Sequence, residues 1–156
     1  MKYFVHRTLV DASQERVAAF HRDSRALKRL TPPPVFMQMD CVEPMGEGSR
    51  VDFTMWLGPI PVRWKAVHSD VSDSGFTDTQ MEGPFAYWAH RHTFRTAGPK
   101  VTEIVDEIEC VPGRHLFWGL VSRIMWLSLP LLFAYRGWAT KRALQAASSE
   151  ANSYAD

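Results

Sequence analysis

Two histidines, His90 and His92, stand in a stretch that also carries Asp78 and Gln80, and Asp106 follows in the next extended segment. Side chains along a strand alternate between its two faces. Phe76, Asp78 and Gln80 therefore share one face, as do Trp88, His90, His92 and Phe94. An imidazole beside a carboxylate is held in one tautomer, and the charge raises its pKa while burial lowers it. Such a pair suits general acid–base chemistry, such as enolisation or the removal of water. His90 or His92 would be the base, with Asp78 or Asp106 orienting it. The same groups would equally fix the polar end of a bound ligand, or brace the sheet as a satisfied hydrogen-bond network. His90 and His92 project to one side about 7 Å apart, with His68, Asp78 or Asp106 available as a third ligand. A two-histidine pair on a strand is a weak metal pattern, so no metal and no other cofactor is expected. Nucleophilic catalysis has little support. The chain has no Gly-x-Ser-x-Gly, no phosphate-binding glycine loop, and no partner in sequence for Cys41 or Cys110.

The elements that must position these residues follow from periodicity. Lys2 to Val10 alternates as a first strand. Asp11-Ala12-Ser13 caps a short helix carrying Val17 and Phe20, with His21 near its end. Ser24 opens a second short helix that Thr31-Pro32-Pro33-Pro34 ends. Strands then run from Val35 to Val42, Arg50 to Leu57 and Val62 to Val71, the last with Val62, Trp64, Ala66 and His68 on one side. The hairpin from Phe76 to Phe94 turns at Gly83-Pro84, and a final strand runs from Val101 to Val111. There Thr102, Ile104, Asp106, Ile108 and Cys110 share a face. After Pro112-Gly113 the pattern becomes helical. Leu116, Leu120, Ile124, Leu127, Leu131 and Ala134 form an apolar stripe, which Phe117, Val121, Met125, Leu132 and Tyr135 widen. Pro130 is expected to kink or divide this helix.

Short connections favour an antiparallel sheet. A helix apolar over more than half its girth needs a concave partner, so the fold class is α+β: a curved sheet of seven strands wrapped around a long C-terminal helix. Space between the two is a default ligand site. Its expected lining is Phe53, Met55, Trp64, Phe76, Trp88 and Phe94 from the sheet, Leu120, Ile124 and Leu127 from the helix, and Gln80 at the polar end.

The 156 residues suit one domain over 1–148, with 149–156 as a fraying tail. The balance of 18 basic and 17 acidic residues, with no basic block, argues against a nucleic-acid partner. The first residues lack the apolar core of a secretory signal, so a cytoplasmic location is expected. Leu116 to Tyr135 has the length of a membrane span, but Arg123, Ser122, Ser128 and Pro130 interrupt it, and the sheet needs its cover. Transient membrane contact through Trp118, Trp126 and Trp138 is the milder expectation.

The string Phe76-x-Asp78-x-Gln80-x-x-Gly83-Pro84-Phe85-x-x-Trp88-x-His90-x-His92-x-Phe94 resembles a pattern of the helix-grip superfamily of START-like, birch-pollen-allergen-like and polyketide cyclase/dehydrase-like domains (SRPBCC). Thr102 and Asp106 ahead of Pro112-Gly113, and Phe133-x-Tyr135-Arg136 late in the last helix, extend the likeness over nearly the whole chain. Gly113-Arg114-His115 departs from it, where relatives are more apolar. The resemblance implies a cavity for a hydrophobic small molecule such as a lipid or polyketide. It leaves three roles open: ligand binding or transport, a cyclase/dehydratase-type enzyme, and a module that docks a protein partner through the last helix.

Overall fold

The computed structural model describes residues 1–153, except the side chains of 24, 25 and 148–153. Its elements are β1 (Lys2–Val10), α1 (Gln14–Arg22), α2 (Ser24–Arg29), β2 (Phe36–Val42), β3 (Arg50–Leu57), β4 (Ile60–Ser72), β5 (Gly75–Glu82), β6 (Phe85–Gly98), β7 (Val101–Pro112) and α3 (Leu116–Ser153). The strands form one antiparallel sheet in the order β1-β7-β6-β5-β4-β3-β2. Only β1 is displaced from chain order, and it closes against β7 after the two short helices. Alternation sets the faces: along β6, Trp88, His90, His92 and Phe94 are buried, while Tyr87, Arg91 and Arg95 are exposed. Gly75, at φ +143°, starts β5 so close to β6 that a Cβ there would collide with the His92 carbonyl.

The interior is two apolar clusters. One gathers Phe53, Trp64, Trp88, Ile108, Leu129 and Phe133. The other gathers Val10, Val17, Phe76, Phe94, Ile104 and Leu144. Between them, His68 on β4, Asp78 on β5, His90 and His92 on β6 and Asp106 on β7 form a polar seam across four neighbouring strands.

The C-terminal helix is rotated from expectation. Leu120, Ile124 and Leu127 are 57%, 56% and 75% exposed, and Leu116 and Leu131 are exposed with them. The side facing the sheet carries Val121, Ser122, Leu129, Phe133, Thr140 and Leu144, all buried. Small groups decide the matter, because they let the backbones approach. At Gly137 a Cβ would lie 2.8 Å from Thr8 Oγ1. At the helix start, Ser122 Oγ accepts from the Gly113 N–H at 3.0 Å and donates to the Gly119 carbonyl at 3.1 Å. The helix continues through Pro130 and reaches Ser153. Of the tail expected at 149–156, residues 154–156 lie outside the described residues.

Candidate functional site

A cavity of about 750 Å³ lies between the sheet, α2 and the middle of α3, within the range of about 300–1,000 Å³ usual for small-molecule sites. Phe53, Met55, Trp64, Phe76 and Trp88 line it, as do Asp78, His90 and His92. On the helix its walls are Met125, Leu129, Leu132, Phe133 and Arg136. Leu120, Ile124 and Leu127 are not among them, because they lie on the opposite side of α3. Two further expected lining residues stand elsewhere. Gln80 braces the hairpin turn, its Nε2 donating to the Phe85 carbonyl at 2.9 Å. Phe94 packs in the second cluster, beyond the seam. Asp106 stands behind the histidines rather than in the cavity wall.

Register brings the seam together. Asp78 is opposite both His68 and His90 on its two neighbouring strands, and His92 is opposite Asp106. His90 Nε2 is 3.1 Å from Asp106 Oδ1 and forms a hydrogen bond with it. His92 bridges the two carboxylates, with Nε2 3.3 Å from Asp78 Oδ2 and Nδ1 2.9 Å from Asp106 Oδ1. The latter contact is out of line for a hydrogen bond, so it acts through charge. His68 Nε2 lies 3.0 Å from Asp78 Oδ1, also off axis, and His68 Nδ1 meets Ser49 Oγ at 2.9 Å. The rings of His90 and His92 are 3.8 Å apart between centroids.

Two adjacent imidazoles here have opposite protonation tendencies. Burial opposes a charge on His92, but the close carboxylates of Asp106 and Asp78 outweigh it and raise its pKa to about 9. His90 is buried and sits against the charge of His92, and its pKa falls to about 4 in spite of Asp106. Burial also opposes ionisation of Asp78 and Asp106, yet their histidine partners hold both well below the usual carboxylate range. At neutral pH Asp78 and Asp106 are thus carboxylates, His92 an imidazolium and His90 a neutral imidazole. Such separation of neighbouring pKa values equips one group to give a proton and the other to take one.

Two residues that the sequence places on helices, without assigning them to the site, stand near the seam. His21 on α1 places its ring 4.9 Å from Phe94 and 5.9 Å from His92, and burial and the His92 charge lower its pKa to about 4. Arg136 on α3 lines the cavity, with its guanidinium over the Phe133 ring at 5.3 Å. The His21 contacts join helix α1 to strand β6, and no local pattern reveals those. Asp78, His90 and His92 bring ligand atoms within 4.8 Å of one another, so they could hold a cation. Their mutual ion pairs already occupy those atoms, so the donor set fits a proton better than a metal.

No protein-family model and no curated protein sequence matches the chain. Solved structures do. The Zhui aromatase/cyclase from a Streptomyces species superposes with a TM-score of 0.73 at 14% identity, over 92% of this chain and 93% of that one. Norcoclaurine synthase from Thalictrum flavum, in complex with dopamine and hydroxybenzaldehyde, gives 0.70 at 17% identity, over 93% and 87%. A START superfamily protein from Mycobacterium smegmatis gives 0.68 at 12% identity, over 92% and 97%. With the single curved sheet closed on one long helix, these likenesses establish that the chain has the helix-grip fold.

Proposed function

We propose that the protein binds a hydrophobic small molecule, a lipid or polyketide-like compound, in the cavity between its sheet and α3. The observation that carries this is the cavity itself: about 750 Å³, walled mainly by Met, Phe, Trp and Leu, with Asp78, His90 and His92 grouped where it meets the seam. A filled core would have placed larger side chains there, since interiors pack densely. Gentle purification followed by mass spectrometry of the extracted small molecules tests the reading. Recovery of a stoichiometric apolar species supports it. Failure to bind any member of a panel of fatty acids, sterols and aromatic polyketides sinks it.

The split pKa values of His90 and His92 favour a second reading, a cyclase/dehydratase-type enzyme. His92 would supply a proton to a ligand carbonyl and neutral His90 would accept one from the adjacent carbon. His90→Gln and His92→Gln would then abolish turnover while binding survives. Unchanged turnover in both variants would remove this reading.

Collection of an apolar cargo calls for contact with its source. The outer stripe of α3 offers Leu116, Leu120, Ile124, Leu127 and Leu131 to solvent, and only 28% of the most apolar window of this helix is buried. Exposed Arg114, Arg123, Lys141 and Arg142 flank or interrupt the stripe, and 116–149 contain no acidic residue. Leu131 is both part of the stripe and a cavity wall, so the apolar surface is continuous with the cavity. An anionic bilayer matches this surface. Phosphatidylglycerol vesicles should pellet the wild-type chain but not Leu120→Asp/Leu127→Asp. Equal pelleting, or a wild-type dimer that the same changes dissociate, would assign the stripe to protein contact instead.

A further inference from the structure

Arg136 lines the cavity, and none of the described residues answers its charge with an ion pair. The seam carboxylates are faced at close range by imidazoles: Asp78 by His68 and His92, Asp106 by His90 and His92. Arg136 has no such contact. Its Nε is buried without a hydrogen-bond partner, and no described residue forms an ion pair with it. One face of the guanidinium is covered by Phe133, and the residue lines the largely apolar cavity. A guanidinium stays charged at any ordinary pH, so the mismatch cannot be relieved by losing a proton. Burial disfavours the charge, and Asp106 and Asp78 offset this only from a distance. A buried charged donor without a partner is among the costlier defects a fold can carry. A carboxylate is the partner whose shape fits the guanidinium edge, because it accepts two parallel hydrogen bonds.

The geometry points to an amphiphile with a carboxylate head as the ligand class, its head on Arg136 and its apolar part along the Met, Phe and Trp wall. This rests on the cavity being a ligand site. A neutral head would leave Arg136 unanswered. A cationic head would face the guanidinium, while the seam carboxylates are already engaged by histidines.

Three probes of equal chain length separate the cases: dodecanoate, dodecanol and dodecyltrimethylammonium, titrated below their micellar concentrations into wild type, Arg136→Gln and Arg136→Lys. Dodecanoate should bind wild type at least about tenfold tighter than dodecanol, the range of one charge-assisted hydrogen bond. Arg136→Gln should abolish that preference and leave dodecanol affinity unchanged, and Arg136→Lys should keep part of it. Equal affinity of wild type for dodecanoate and dodecanol would overturn the assignment while leaving the cavity reading standing. Tighter binding of the ammonium probe would do the same. If none of the three binds wild type, the carboxylate assignment falls, and the cavity reading is decided by the wider panel of fatty acids, sterols and polyketides. The wild-type comparison is decisive even if a variant fails to fold.

Discussion

Raising the pH should destabilise the protein through one residue, His92. Its folded pKa is about 9 against an ordinary 6.5, because Asp106 and Asp78 hold its proton in spite of burial. Unfolding returns the ordinary value. Below pH 6.5 both states carry the proton, and the stabilisation from this ion pair is complete. Between pH 6.5 and 9 the folded chain keeps the proton and the unfolded chain does not, so stability falls through this window. At about 1.4 kcal/mol per pH unit, the loss amounts to about 3 kcal/mol. Urea unfolding would register it as a fall in midpoint of roughly 1–3 M. In His92→Gln the whole curve should sit lower, since two buried carboxylates lose their cation, but its alkaline slope should vanish. Nitrogen-15 spectra of the imidazole rings give an independent reading, with His92 still protonated at pH 8. A wild-type midpoint that stays flat across the window, or a His92 ring that titrates below pH 7, would refute the reasoning.

Acid should act through different residues. His90 and His21 have pKa values lowered to about 4, so stability should fall as pH drops from 6.5 towards 4, where the unfolded chain takes up protons that the folded one refuses. His21→Asn should lose part of that acid slope, as read by urea midpoints at several pH values. Gly137→Ala should destabilise the fold by about 1 kcal/mol: overpacking costs about 1–3 kcal/mol, and the helical preference of Ala over Gly returns about 1. The clashing atom is Thr8 Oγ1, so Thr8→Ala in the same background should restore the melting temperature, a coupling that a double-mutant cycle measures. Ile108→Ala, at a fully buried position beside the seam, should cost about 2–5 kcal/mol in denaturant unfolding.

Much of the sheet was legible because its rules are local. Alternation assigned Asp78, His90, His92 and Asp106 to inward faces, and the Gly83-Pro84 turn fixed which strands pair. His68 appeared on the correct face of its strand, but its place opposite Asp78 depends on the register of a different hairpin. The helix resisted reading for another reason. α3 is apolar nearly all round, so periodicity offers several equivalent stripes, and the largest residues drew attention to the outer one. The side that packs is marked instead by Gly119, Ser122, Gly137 and Thr140, where small or hydroxylated groups permit close approach. Gln80 and Phe94 share faces with the seam but lie at either end of it. Arg136 and His21 reach it from helices distant in sequence.

The polar seam also divides the molecule mechanically. On one side, the cluster of Val10, Val17, Phe94, Ile104 and Leu144 ties α1, the late part of α3 and three strands into solid packing. On the other, β2 and β3 close over a hollow, and β2 is a largely exposed strand at the sheet edge. Rigidity should therefore be unequal across a single sheet. Amide protons on the packed half should exchange only on global unfolding, and those of β2 and β3 should exchange through smaller openings. Occupying the hollow would stiffen that half alone, so filling it should change breathing at the sheet edge far more than the stability of the packed half.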